Sequence, residues 1–217
     1  MSVTSIYIDI ETIPGPTPPA PGSISAPANY KNPETIAEYQ RNSVEKEWRR
    51  ESLLSHRGRV LCVGWAVEDD DVRSVLRAGD GEEPDLMHAF WDGLLAAIPR
   101  ESARSIRWVG FNLTTFDLNW LRHRAVKYGL RDLSYQLPAE RYPRNVFDIR
   151  SWWLGPDYRG EGTLDDVAKF FGIEGKTAGM DGSQVFDYWR DGRLDEIAEY
   201  CRRDVELTRE LHQRITA

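Results

Sequence analysis

Ser5-Ile6-Tyr7-Ile8-Asp9-Ile10-Glu11-Thr12, close to the N-terminus, is the stretch on which the reading of the fold turns. Side chains alternate faces along a strand, so Ile6, Ile8 and Ile10 point one way while Tyr7, Asp9 and Glu11 point the other. Two carboxylates therefore share one face of an isoleucine-rich strand of the kind found in sheet interiors. Uncompensated carboxylates are costly there, and a divalent cation is the direct candidate for compensating them. Taken alone, the stretch fits equally a half-exposed edge strand with two solvated acids.

Working outward, Pro14 to Gly22 holds five prolines and two glycines and is expected to be an extended surface loop. Asn32-Pro33 to Leu54 is rich in charged helix formers and reads as one or two surface helices, with Pro33 early in the first. Arg59 to Val67 is apolar enough for a buried strand, and Val72 to Leu76 follows across an acidic turn as its hairpin partner. Pro84 to Ile98 has apolar residues at helical spacing. Ile106 to Gly110 reads as a strand leading into a helix over about Thr115 to Tyr128. Asn145 to Trp153 fits strand or helix. The last third is helical: Thr163 to Phe171, Ser183 to Arg190, and Leu194 to about Ile215, separated by glycine-containing turns. A hairpin-rich first half and a helical second half predict one α/β domain over residues 1–217, a mixed sheet with helices on both faces, interrupted by an insertion at about 14–55.

Composition excludes several classes. The 217 residues carry 28 Lys and Arg against 35 Asp and Glu, a formal charge of −7. That balance argues against a protein that coats duplex DNA through a broad basic surface, though not against one that grips a strand end locally. The two cysteines, Cys62 and Cys201, sit in an apolar run and a helical pattern and not in a CxxC motif, which points to a reducing, cytoplasmic setting. No apolar run is long enough to span a bilayer and no signal peptide is expected. His56, His88, His123 and His212 show no metal-binding spacing.

Two more places put acids on apolar helix faces. In Gly110-Phe111-Asn112-Leu113-Thr114-Thr115-Phe116-Asp117-Leu118-Asn119-Trp120-Leu121, Asp117 lies on the stripe of Leu113, Phe116, Trp120 and Leu121. The alternative is a capping box, with Thr114 three residues ahead of an acid in the first helical turn. In the last helix Tyr200 and Asp204 are four apart and share a face with Ile197, Cys201, Thr208 and Leu211. There the alternative is a buried acid satisfied by a tyrosine or an arginine.

The order DxE on a first strand, GxN-x3-FD at a strand-to-helix junction and Yx3D on a last helix resembles the three motifs of the DEDD superfamily of 3′-5′ exonucleases. Glu199 occupies the position five residues before the last acid where the histidine branch has its histidine, so the chain resembles the tyrosine-containing DEDDy branch, which has a ribonuclease H-like fold. Asn29-Tyr30-Lys31-Asn32-Pro33-Glu34-Thr35-Ile36 and Gly175-Lys176-Thr177-Ala178-Gly179-Met180-Asp181-Gly182-Ser183 resemble signatures of a stand-alone family related to the proofreading domain of B-family DNA polymerases.

The resemblance implies a phosphodiesterase that uses two divalent ions, Mg2+ or Mn2+, and releases nucleoside 5′-monophosphates from the 3′ end of single-stranded DNA. Hard oxygen donors suit those ions better than zinc. Residue by residue it implies that Asp9 holds both ions, Glu11 and Asp204 complete one of them, Asp117 holds the other through water, and Tyr200 orients the attacking water. Thr12 and Phe116 are implied to seat the terminal nucleotide, with Asn112 as polar support. Lys176 lies in a glycine-rich loop where an amine could reach a phosphate, or simply be solvated. Arg122, Arg124 and Lys127 read as a local basic track or as a helix's ordinary polar face. A small-RNA exonuclease and a non-cleaving nucleic-acid-binding module are the alternative readings.

Overall fold

A computed structural model describes residues 3–98, 106–140, 143–157, 159–175 and 180–217. Its elements in chain order are β1 (Thr4–Ile13), α1 (Pro33–Asn42), α2 (Val44–Arg50), β2 (Arg59–Val67), β3 (Arg73–Leu76), α3 (Glu83–Ala97), β4 (Ile106–Gly110), α4 (Asp117–Lys127), α5 (Arg131–Gln136), β5 (Val146–Asp148), α6 (Ile149–Leu154), α7 (Leu164–Phe170), α8 (Val185–Arg190) and α9 (Leu194–Thr216). The ambiguous stretch 145–153 is both things in turn: β5 ends at Asp148, whose side chain then caps α6 by accepting from Ser151 N. That acid at the end of an apolar run is what converts strand into helix.

The strands form one mixed sheet in the order β3-β2-β1-β4-β5. β1 runs antiparallel to β2 and parallel to β4, and β4 runs parallel to β5. β1 is therefore the central strand, and every residue in it except Asp9 is buried. This removes the edge-strand reading, since β1 is paired on both edges and only Asp9 among its residues keeps partial exposure. Ile6, Ile8 and Ile10 pack into a core with Leu86, Phe90 and Leu94 of α3 and Leu118, Trp120 and Leu121 of α4. On the opposite face Tyr7 packs with α6, α7 and α9, while Cys62 and Cys201 join Phe186 of α8 in an adjoining cluster.

α9 is the long cover of that second face. Its buried residues Ile197, Cys201, Asp204, Val205, Thr208 and Leu211 recur at helical spacing, and Asp195 and Glu196 in its first turn oppose the helix dipole. Gly64 lets it come close. Gly64 pairs with Asp9 across the β1–β2 ladder, and a Cβ there would lie 2.9 Å from Cys201 Sγ and 3.1 Å from Val205 Cγ2. One missing methyl thus sets the distance between the last helix and the strand that carries Asp9.

The segment between β1 and β2 is docked on the body. Arg49 forms a two-pronged ion pair with Asp187 of α8, at 2.9 and 2.5 Å. Trp48 packs edge-on against Phe186 and donates to Gly15 O at 2.9 Å. Among the described residues, no helix is long and apolar enough to cross a membrane.

Candidate active site

Three elements bring the acids together. β1 projects Asp9 and Glu11 from the face that α9 covers, because Tyr7 between the same alternations is in that face's core. Asp117 is the first residue of α4 and is buried. Its Oδ1 accepts a hydrogen bond from Ile10 N at 3.1 Å, tying α4 to the middle of β1. Asp204 is buried at mid-length of α9, with Tyr200 one turn earlier on the same helix.

Electrostatics report the same convergence. The Asp117 carboxyl is pushed up to about 7, first by burial, with the negative charges of Asp148 and Asp204 adding to the shift and the Ile10 N–H opposing it. Burial likewise raises the Tyr200 phenol, and Asp204, Glu11 and Asp9 raise it further in that order. Tyr200 therefore stays protonated at any working pH, a hydrogen-bond donor and not a base. Carboxylates packed this closely need a cation if all are to be ionised.

Asp9, Glu11 and Cys201 have potential ligand atoms within 4.8 Å of one another. Cys201 is an unconvincing member of such a set. Its thiol donates to Asp9 O at 3.6 Å, and burial beside Cys62 pushes its pKa far up, so it remains a packed thiol. The remaining donors are carboxylate oxygens, which suit Mg2+ or Mn2+.

The other expected residues fall differently. Thr12 lies just after an irregularity in the β1–β2 register, and its hydroxyl donates to Ser52 O at 2.6 Å, so it anchors the insertion beside the site. Phe116 is half-buried next to Asp117, its ring tilted against Trp120. Asn112 sits in the left-handed region at φ 61°, which asparagine tolerates, and its Oδ1 accepts from Thr115 Oγ1 at 2.7 Å and Arg150 Nη1 at 3.2 Å. Lys176 lies outside the described residues.

Two alternatives left open by the sequence are decided. Thr114 does not cap α4: Phe116 holds the cap position without a side-chain bond, and the Thr114 hydroxyl donates instead to Asp148 Oδ2 at 2.7 Å. Nor do Arg122, Arg124 and Lys127 form a basic track. Arg124 is buried, with Nε donating to Glu83 and its two Nη groups to Ser55 O and Gly58 O. Arg122 donates to Pro138 O, and Lys127 pairs with the same Glu83.

Asp148 is the residue that sequence reasoning missed. Its buried carboxylate accepts from Asn112 N at 3.1 Å, Thr114 N at 2.9 Å, the Thr114 hydroxyl and Ser151 N at 3.2 Å. It therefore fixes the β4–α4 loop that presents Phe116 and Asp117. The available signal was an acid closing the apolar run Val146-Phe147-Asp148.

This fold is shared with solved structures. The chain aligns over its whole length with a quarter of the family B DNA polymerase from the hyperthermophilic archaeon Pyrobaculum calidifontis, at TM-score 0.59 and 17% identity. The mixed sheet flanked by helices is thus a ribonuclease H-like fold, and the chain spans only about a quarter of that larger enzyme. An uncharacterized protein of Methanocaldococcus jannaschii is 27% identical over 164 residues, covering 71% of this chain and 84% of that protein. The chain belongs to the family described as predicted 3′-5′ exonucleases related to the exonuclease domain of PolB, whose model matches residues 53–216. The matched range begins after β1, so Asp9 and Glu11 join the site through the sheet's topology and not through the matched range.

Proposed function

We propose that the protein is a DEDDy-type 3′-5′ exonuclease that removes nucleoside 5′-monophosphates from the 3′ end of single-stranded DNA, with two Mg2+ or Mn2+ ions held by Asp9, Glu11, Asp117 and Asp204. The observation that carries this reading is the meeting of the acids of β1, α4 and α9 around Tyr200, on faces otherwise made of core. We read the whole chain as one exonuclease unit in which residues 14–55 are an insertion. Two free, buried thiols fit a cytoplasmic setting.

Asp9 would hold both ions, Glu11 and Asp204 one of them, and Asp117 the other through water. Bound there, such ions supply a water activated at neutral pH and charge stabilisation on the scissile phosphate and the leaving oxygen. Tyr200, kept protonated by burial and its acidic neighbours, positions the attacking water rather than removing its proton. The ring of Phe116 offers a surface for the terminal base, and Ile10 N holds Asp117 in orientation.

The test uses end-labelled single-stranded DNA and RNA, with magnesium, manganese or EDTA. A ladder shortening from the 3′ end of DNA, lost in EDTA and in Asp9→Ala and Asp204→Ala, is expected. A ladder on RNA alone would overturn the DNA assignment. Binding without cleavage under every metal condition would overturn the enzyme.

A further inference from the structure

A groove of about 990 Å³ runs between the β4–α4 loop and α6, at the top of the size range of small-ligand clefts (roughly 300–1,000 Å³). Asn112, Thr114 and Thr115 form one wall, so the groove opens onto the loop that carries Phe116 and Asp117. Arg144, Arg150 and Trp152 line the other side. Asp148 is the one carboxylate among the described lining residues, and its oxygens are turned to the amides and hydroxyl of the loop. In a chain of charge −7, this wall presents two guanidiniums and no outward-facing acid.

Among the described residues, Arg150 donates to Asn112 Oδ1 and makes no ion pair, and Arg144 is exposed with no ion pair. Trp152 is 48% exposed. Phe171 lies behind it, ring centroids 6.2 Å apart, which holds the indole in place while leaving the rest of its surface to solvent. Aromatic surface next to guanidiniums without a carboxylate partner is what a single strand of nucleic acid uses, bases stacking on the ring and phosphates pairing with arginine.

We propose that this groove binds the body of the substrate strand, on the 5′ side of the nucleotide being removed, with Trp152 as a base-stacking surface and Arg144 and Arg150 as phosphate contacts. The proposal rests on the reading of the protein as a single-strand exonuclease, and it adds a second site that sets preference for long strands over short ones.

Two measurements on the full chain test it. The first is fluorescence anisotropy of a labelled DNA strand of about 12 nucleotides, in EDTA so that nothing is cut. Trp152→Ala should weaken binding roughly tenfold, the effect of one lost stacked base. Arg144→Ala should lower the slope of log affinity against log salt by about 0.7, the share of one phosphate contact on a single strand. The second is the ratio of kcat/KM on that strand to kcat/KM on thymidine 5′-(p-nitrophenyl phosphate), which is too short to reach the groove. Both variants should lower this ratio. Strand affinity and ratio equal to wild type would overturn the groove, as would equal losses on both substrates. Wild-type protein that binds the strand in a Trp152-dependent way but hydrolyses neither substrate with either metal would sink the exonuclease reading while leaving the groove as a nucleic-acid site.

Discussion

Replacing Asp117 by asparagine should make the metal-free protein more stable at alkaline pH while destroying its activity. The carboxyl is 4% exposed, and its pKa is raised from an ordinary 3.8 to about 7, chiefly by burial. A raised pKa means that the folded state prefers the neutral acid. The stability which that preference confers is complete below about pH 4 and is lost as pH rises through 7. Integrated over that window, ionising Asp117 costs the apo fold about 4 kcal/mol by pH 8, with about half of it already lost near pH 5.5. Asparagine is nearly isosteric, keeps an oxygen to accept from Ile10 N, and stays neutral throughout. The assay is urea unfolding in EDTA at several pH values between 4.5 and 8 for both proteins. The variant should lack most of the wild-type fall in stability with pH and should overtake it at the upper end. Parallel pH profiles, or a variant less stable than wild type at pH 8, would refute the argument that burial of a charge governs this residue. Adding Mg2+ should stabilise the wild type more at pH 8 than at pH 5.5, where a proton must first leave.

Tyr200→Phe should bind Mn2+ with nearly wild-type affinity by calorimetry yet turn over roughly tenfold to a hundredfold more slowly, since it removes one positioned hydrogen bond. Loss of metal binding instead would contradict the positioning role. Gly64→Ala should cost about 1–3 kcal/mol in urea unfolding, because Cys201 and Val205 must move away, and it should weaken metal binding by shifting Asp204 relative to Asp9. Arg124→Ala should cost about 3–5 kcal/mol, since it leaves Glu83 buried without its main partner. Arg49→Ala, breaking a half-exposed pair with Asp187, should cost about 1 kcal/mol or less.

The sheet and most helices were legible because their apolar periodicity is strong: β2, β4 and α9 lie within a residue or so of where alternation and helical spacing place them. The convergence of Asp9, Glu11, Asp117, Tyr200 and Asp204 was legible for the opposite reason, as polar groups on faces that periodicity assigns to the core. What sequence could not show was cross-chain bonding. Thr114 looked like a helix cap because caps are local, yet its hydroxyl is taken by Asp148, thirty-four residues later. Arg124 looked like surface charge because its helix is generally polar, but Glu83 draws it inward. Asp148 went unnoticed because an isolated acid at a strand end has many uses, and only its four donors distinguish it.

The central position of β1 also bears on how the molecule assembles. β1 gains its antiparallel neighbour only after residues 59–67 are made and its parallel neighbour only after residues 106–110. Its acids then wait for Asp204, almost two hundred residues after Asp9. Contacts of such long sequence separation fold slowly, in the millisecond-to-second range typical of non-local topologies. Until they close, a strand rich in isoleucine has both edges open to other chains. The same arrangement that buries the acids therefore leaves β1 in need of cover until its neighbours arrive, and the cluster of acids requires β1, α4 and α9 together.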